Sequence, residues 1–401
     1  MRSRSEVTLT TLDSIRPTPS PSTPTTLSRL YSIRTTTPSP STPTPVPSNS
    51  ANTVMRARTV SRRSVIAVLA LAGIAACNKS DKPADGAAAA TPTGGKTFTI
   101  AMIAKSSTNP VFLAGRKGAE VAAESLSKVH GVTVKIDWLT PPNEDGTVQA
   151  QKISQAVNGG ANAILFSASD PGKVLGAINE AVDRGVHVMT FDSDVPDSKR
   201  FSFYGGDDVA MGKQVMDELA TQMGGKGKVA IIAGNQNAPN LQKRVQGARE
   251  AAKAYPGIKI VDAFYHAETP QDAAAAVMQV MNANPDVSGL AMIGGWALFT
   301  RTLLTDLDPK KVKIVAVDAL PAELAYVEKG LAPVLFAQPV YMWGYVSVNT
   351  IFDKVYLKKD VPAHVQMDLT RVSKDNLGAW ARQLVTWGFT DVDSAYLKLA
   401  K

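Results

Sequence analysis

The feature that most limits what this chain can fold into is an alternation that begins at Phe98 and continues to about residue 357. Short apolar runs of strand length are separated by helix-length segments and turn residues. Strands and helices alternating at this spacing build βαβ units, whose crossovers force a parallel sheet covered on both faces. The spacing predicts strands near 98–103, 132–137, 162–166, 187–191, 228–232, 258–263, 288–293, 313–317 and 333–337. It predicts helices near 110–128, 146–158, 172–184, 209–223, 239–254, 271–283, 297–306 and 321–329, with a longer one near 340–357. The first helix has a legible start, because Asn109 is a favoured N-cap and Pro110 suits the first helical position. The alternation breaks once, after Asp192, in the polar stretch to Asp197 and a short apolar piece, Phe201 to Tyr204. Gly205-Gly206 follows before a new helix. A glycine pair between two blocks of repeats suits a hinge; a plain tight turn is the alternative.

The first 96 residues differ in kind. Residues 1–54 are rich in Ser, Thr and Pro and hold few large apolar side chains, too few to offset the entropy of ordering them. From Met55 a basic start leads into the apolar run Val65 to Ala76, which ends Ile74-Ala75-Ala76 before Cys77. The run is short for a permanent membrane span and has the layout of a signal peptide. It resembles the bacterial lipoprotein signal, in which the cysteine is acylated and becomes the first mature residue. An ordinary signal peptide with an incidental thiol is the alternative. Ser61-Arg62-Arg63 also hints at twin-arginine export. A complete signal at 55–76 makes residues 1–54 an upstream artefact of start assignment, with a disordered extension as the alternative. Residues 77–96 have the composition of a flexible linker.

Net charge points the same way. The chain carries +8, but residues 1–76 hold nine Arg against Glu6 and Asp13, which leaves the remainder near +1. A nearly neutral body has no electrostatic footprint for nucleic acid. Cys77 is the single cysteine, so no internal disulfide and no cysteine-based metal cluster can form.

In open parallel sheets ligands bind beyond the carboxyl ends of the strands. The polar residues at those positions are Asn109, Ser167 to Asp170, Asp192, Gly234-Asn235, Trp296, Asp318 and Gln338, with Arg244 on the helix after the 228–232 strand. Phe112, Trp296, Tyr341 and Trp343 are possible stacking surfaces. Carboxylates accept from vicinal hydroxyls, arginine and amides donate to hydroxyl and ring oxygens, and aromatic faces cover C–H patches, so the set suits a neutral polyhydroxylated ligand. Each residue also has a structural alternative. Asn109 caps a helix, Asp192 and Asp318 brace turns, Arg244 is solvated, Phe112 is core and Trp296 packs beneath the hinge. Enzymatic motifs are missing: no Gly-x-x-x-x-Gly-Lys-Ser/Thr, Gly-x-Ser-x-Gly or His-Glu-x-x-His occurs. His130, His187, His266 and His364 fit no metal-ligand spacing; His187 falls inside a strand and the others read as surface residues. The expectation is a protein that is not an enzyme and needs no cofactor or metal. Glycoside hydrolysis by a pair such as Asp192 and Asp318 is the minor alternative.

Seven segments, taken together, carry a resemblance: STNPVF (107–112), VMTFDSD (188–194), GGDD (205–208), KRVQGARE (243–250), NANPDVSGLAMI (282–293), IVAVDAL (314–320) and FAQP (336–339). In their order and spacing the chain resembles the ribose-type periplasmic sugar-binding proteins, the solute receptors of bacterial ABC importers, over essentially all of 97–370. The resemblance implies an α/β fold of two similar Rossmann-like lobes with parallel sheets joined by a three-crossover hinge, the type I periplasmic binding protein architecture. Lobe one would comprise 97–205 with 338–366 and lobe two 206–337 with 367–396, with crossovers near 205–207, 337–339 and 365–369 and Gly205 and Gly206 at the hinge. Asn109, Phe112, Asp192, Ser193, Arg244, Trp296, Asp318 and Gln338 would line a monosaccharide site, with Asp192 and Asp318 on hydroxyls and Arg244 on hydroxyls or the ring oxygen. It further implies an exported periplasmic monomer, a lipoprotein held to the membrane only through Cys77, that passes its sugar to an ABC permease and its ATPase. A receptor that senses a sugar or quorum signal is the alternative. A repressor effector domain would need an N-terminal helix-turn-helix where this chain has a signal peptide and linker. Three positions depart from the ribose-type pattern. Ser193 stands where arginine is expected, Gly294-Gly295-Trp296 where Asn-Asp is expected, and Thr269 near an expected aromatic. Another pentose, a hexose or a sugar alcohol therefore competes equally with ribose.

Overall fold

The computed structural model describes residues 96–400. The N-terminal extension, the expected signal segment, Cys77 as the expected lipidation site and almost all of the expected tether lie outside those residues. In chain order the first block is β1 (Thr97–Ile103), α1 (Pro110–His130), β2 (Thr133–Trp138), α2 (Gly146–Asn158), β3 (Ala163–Phe166), α3 (Pro171–Asp183), β4 (His187–Phe191) and β5 (Ser202–Gly205). The second is α4 (Asp208–Gln222), β6 (Lys226–Ala233), α5 (Pro239–Ala252), β7 (Gly257–Tyr265), α6 (Pro270–Ala283), β8 (Val287–Met292), β9 (Lys313–Val317), α7 (Leu324–Lys329) and β10 (Val334–Ala337). The chain ends with α8 (Val340–Ile351), β11 (His364–Gln366), β12 (Thr370–Val372), α9 (Leu377–Thr386) and α10 (Ser394–Leu397).

Two six-stranded sheets result, in the orders β11-β5-β4-β3-β1-β2 and β12-β10-β9-β8-β6-β7. Apart from strands 11 and 12, the second repeats the first strand for strand. All pairings are parallel except β10 with β12. Strands such as Ala163–Phe166 and Val334–Ala337 are buried along their whole length, as strands covered by helices on both faces must be. Helix starts are fixed locally: the side chains of Asn109, Asp145, Asp170, Asp207 and Thr269 each accept a first-turn backbone N–H.

Each sheet forms a lobe, and the chain passes between lobes three times: from β5 to α4, from β10 to α8, and from β11 to β12. Gly205 and Gly206 sit at the first passage, but neither has a positive φ. What marks the two positions is tight space. A Cβ on Gly205 would lie 2.1 Å from the Phe203 ring, and one on Gly206 would lie 2.1 Å from Met211 Cε and 3.0 Å from the Met367 carbonyl.

The structure corrects the sequence reading in four places. The helix expected at 297–306 is a single 3₁₀ turn, Trp296–Leu298, followed by irregular turns; the Thr300 carbonyl is taken by the Tyr326 hydroxyl at 2.6 Å rather than by a helical N–H. The helix expected to run to 357 is α-helical only to Ile351 and continues as a π turn over Phe352–Tyr356. There the Phe352 and Tyr356 rings stack at 4.6 Å and both meet Phe98 edge-on. Strands 5, 11 and 12 are too short to give a period. His266 is half-buried, its ring edge-on to Trp296 at 5.4 Å.

Helices α1 and α8 approach closely through Gly118 and Gly344, where a Cβ would lie 1.9 Å from the carbonyls of Tyr341 and Gly115 respectively. Gly212 and Gly247 do the same for α4 and α5. Gly118→Ala is therefore expected to lower unfolding stability by about 2–3 kcal/mol. Gly176→Ala, in α3 with open space around it, is expected to raise it by about 0.5–1 kcal/mol. Urea denaturation of the two variants checks both signs.

Candidate functional site

The carboxyl ends of both sheets face one cleft, and the residues there are held in position by the backbone itself. Asp192 follows β4 and Asp318 follows β9. Both adopt left-handed backbone conformations, with φ of 56° and 82°, a region that a non-glycine residue enters at a cost and that aspartate tolerates better than most. Each amide bonds the carbonyl of the next strand, Asp192 to Tyr204 at 3.1 Å and Asp318 to Phe336 at 2.9 Å. The two turns are the same device used once per lobe, and each directs a carboxylate into the cleft.

The carboxylates are bound on both oxygens. Ser167 Oγ donates to Asp192 Oδ2 at 2.9 Å, and Asn240 Nδ2 reaches across from the other lobe to Oδ1 at 3.2 Å. Gln338 Nε2 donates to Asp318 Oδ1 at 2.8 Å, and the Gly295 amide to Oδ2 at 3.2 Å. Arg244, on α5, is 3% exposed. Its Nε donates to Asp208 Oδ1 at 2.9 Å, Nη1 to the Ile293 carbonyl at 3.2 Å and Nη2 to Gln338 Oε1 at 3.1 Å. Asn109 caps α1 through Oδ1. Phe112, Phe191 and Trp343 form an aromatic cluster on one side, with Phe112 lying 5.6 Å from Trp343 and 6.3 Å from Phe191. Trp296 forms the other side, and the two glycines before it sit where side chains would meet its ring and Glu323. A Cβ on Gly294 would lie 2.3 Å from that ring, and one on Gly295 would lie 2.3 Å from Glu323 Oε1.

One narrow cavity is thus lined by Asn109, Phe112, Asp192, Arg244, Trp296, Asp318 and Gln338 together. Ser193 does not join them: it is fully buried, and its carbonyl accepts from the Ala168 amide at 3.0 Å. Thr269, in place of an aromatic, is an exposed N-cap for α6. The cavity also takes in Lys105, Asn240, Glu268 and Trp343. Sequence reading passed over Lys105, Asn240 and Glu268 and named Trp343 only as a possible stacking surface. Lys105 follows the first apolar run just as Asp192 follows the fourth, and that was its available signal. Among the described residues no group of three or more His, Cys, Asp or Glu is arranged to hold a metal ion.

Electrostatics follow from the burial. Burial pushes the Asp192 and Asp318 carboxyls up, against the pull of hydrogen bonds and Arg244. Burial likewise disfavours the Arg244 guanidinium, but Asp208, Asp192 and Asp318 outweigh it and hold the group more firmly charged than usual. Asp208 is raised by burial to about 6, despite Arg244 beside it.

Comparison with known proteins comes to the same fold. Residues 100–359 match the family described as periplasmic binding protein domain, and the chain belongs to that family. It is 26% identical to the ribose import binding protein of Escherichia coli over 278 residues, which cover 69% of this chain and 90% of that one. It is 22% identical to the xylitol-binding protein of Mycolicibacterium smegmatis, covering 68% and 76%. Among solved structures it is similar to an ABC transporter solute-binding protein from Burkholderia graminis in complex with D-arabinose. That match has a TM-score of 0.66 and 26% identity and covers 71% of this chain and 98% of that one. An arabinose-binding protein from Geobacillus stearothermophilus matches at a TM-score of 0.58 and 28% identity, covering 70% and 98%.

The raised Asp208 carboxyl has a stability consequence. Its folded value lies above the ordinary 3.8, so the native state holds this proton more tightly than the unfolded chain. The resulting stabilisation is complete below about pH 4 and is lost as pH rises through about 6. Asp208→Asn is expected to remove that fall, so the Tm difference between the variant and the parent should shift in the variant's favour from pH 4 to 7.

Proposed function

We propose that the protein is the solute-binding receptor of an ABC importer, closing its two lobes on a neutral monosaccharide or related polyol and delivering it to the permease and its ATPase. The observation that carries this reading is that donors and acceptors from both lobes converge on one cavity between two aromatic walls. Asp192 and Asp318 accept from hydroxyls, Arg244 and Gln338 donate to hydroxyls or the ring oxygen, and the Asn109 amide nitrogen, which bonds no group among the described residues, serves the same use. Phe112, Trp296 and Trp343 cover the C–H faces. Relatives named for ribose, xylitol and D-apiose import or binding support a small polyol as the cargo, and the family's name supports a periplasmic setting.

Capture is a hinge motion. Asp192 lies in one lobe and Arg244 and Asp318 in the other, so a ligand that satisfies all three binds the closed state better than the open one. The three crossover passages divide the chain into lobes at 97–205 with 338–366 and at 206–337 with 367–396. In the full reading the signal at 55–76 exports the chain, Cys77 carries a lipid anchor, residues 77–96 tether the body, and the monomer works without cofactor or catalysis.

A thermal-shift screen against ribose, arabinose, xylitol, allose and related polyols tests the reading. A true ligand raises the Tm by mass action, and no shift with any monosaccharide or polyol overturns it. For the sugar found, Asp192→Ala, Arg244→Ala and Asp318→Ala should each weaken binding by about 2–4 kcal/mol, because each leaves buried partners unpaired. Calorimetric titration measures this, and full affinity in all three removes the site assignment.

A further inference from the structure

Two lining residues of the aromatic-walled cavity, Lys105 and Glu268, belong to a charged cluster to which the proposed function assigns no role. Lys105 follows β1 and Glu144 precedes α2, both in the first lobe; Glu268 follows β7 in the second. Lys105 Nζ lies 3.0 and 3.1 Å from the two Glu268 oxygens and 3.6 Å from Glu144 Oε1. The Lys105 and Glu268 side chains are 2% exposed and that of Glu144 is 13% exposed. Asn235 joins from the second lobe, its amide 3.3 Å from Glu268 Oε1 and its Nδ2 3.5 Å from Glu144 Oε2. The two carboxylates thus converge on one ammonium and one asparagine, and Glu144 Oε1 is buried with no hydrogen-bond partner among the described residues.

We propose that Glu144 and Glu268, together with Lys105, form a proton-binding site that is complete only when the lobes are closed, so that capturing a ligand takes up a proton. The inference rests on the receptor reading above for its link to ligand, and on charge balance for the proton. One ammonium stands against two carboxylates in a space cut off from water, and Asp192 adds a further negative charge toward Lys105 and Glu268. Two carboxylates that share one ammonium cannot both remain ionised cheaply. A proton on Glu144 removes the excess negative charge and leaves a neutral Lys105–Glu268 pair.

The surroundings agree. Burial and the adjacent Glu268 push Glu144 well above its ordinary range, although Lys105 pulls the other way. Burial also disfavours ionised Glu268, but Lys105 outweighs it and keeps this carboxyl below its usual value. Burial opposes the Lys105 charge too, and Glu144, Glu268 and Asp192 overcome it. Of the other titratable groups nearby, burial lowers the pKa of His266 and raises that of Asp192. When the lobes part, Glu268 leaves with the second lobe and Glu144 returns to water, where a glutamate titrates near about 4.3.

The sign follows from linkage. The closed state holds one proton more than the open state between about pH 4.3 and the raised value of Glu144. Within that window closure becomes up to about tenfold more favourable for each unit the pH falls, and above it closure no longer depends on this site.

The test follows closure with and without sugar. Spin labels at Ser125→Cys and Lys253→Cys, one exposed position in each lobe, in a chain carrying Cys77→Ser, report the interlobe distance by electron–electron resonance. In the unliganded protein the closed fraction should grow as pH falls from 8 to 5. In Glu144→Gln, whose amide mimics the protonated acid, it should stay at the acid value throughout. His266 is present in both proteins, so its titration cancels. Glu268→Gln, which leaves one carboxylate beside Lys105, should lose the dependence as well and serves if the first variant folds poorly. Calorimetry with ribose, xylitol and arabinose in buffers of different ionisation heat should give proton uptake approaching one in the parent and near zero in Glu144→Gln. A closed fraction independent of pH in the parent, or an unchanged dependence in both variants, overturns the proposal. Sugar binding without proton uptake overturns it and leaves the receptor reading intact. A pH-dependent closed fraction in a protein that binds none of the three sugars supports the proton site and counts against the receptor reading instead.

Discussion

A guanidinium cut off from water must be surrounded by acceptors, or the structure around it opens to hydrate it. Arg244 meets that requirement with three partners that come from separate parts of the chain. Asp208 begins the first element after one crossover, Gln338 lies in the next crossover, and the Ile293 carbonyl ends the central strand β8 of the second lobe. Gln338 in turn donates to Asp318. The floor of the cleft is therefore one hydrogen-bonded unit, and the crossovers are tied to the groups that would read a ligand. A change in any member alters both hinge and site, which gives a physical route from binding to lobe position.

The carboxylates on either side are set by a repeated backbone device. A strand ends, its next residue turns into the left-handed region, and that residue's amide closes on the neighbouring strand. Both lobes do this with aspartate, and both pay for it in backbone strain of the kind found where a side chain must be aimed. The corresponding strand orders of the two sheets show why the device occurs twice. Each lobe is the same βα arrangement, and facing the two copies brings their carboxyl ends together. The close helix pairs at Gly118 and Gly344 in one lobe and at Gly212 and Gly247 in the other repeat the correspondence in the helical layers.

Much of this could be read from the residues. Long apolar runs fix strands whatever surrounds them, so β1, β3, β4, β6, β8 and β9 were legible, and with them the strand-end residues Asp192 and Asp318. The cap at Asn109 is a local interaction and was legible for the same reason. Strands 11 and 12 owe their conformation to the neighbours they pair with, and three residues carry no period of their own. At 297–306 a tyrosine hydroxyl from another segment competes for a backbone carbonyl, which no local pattern announces. Lys105, Glu144 and Glu268 escaped notice because each, taken singly, reads as a solvated surface charge. Only the approach of the two lobes makes them a cluster.

The departures at 294–296 have local explanations. The Trp296 ring excludes a side chain at 294, Glu323 and Phe299 exclude one at 295, and the Gly295 amide donates to Asp318. Trp296 lines the cavity with His266 edge-on behind it, whereas Thr269 is an exposed cap outside it. In the receptor proposed above, Trp296 would offer one wall an apolar face, and polar recognition would fall to Arg244, Gln338 and the two aspartates. Such a wall favours a ligand with one face of C–H groups and hydroxyls confined to its rim. Discrimination among polyols then depends on how each hydroxyl matches an acceptor that the protein already holds through its own amides, Asn240 for Asp192 and Gln338 for Asp318.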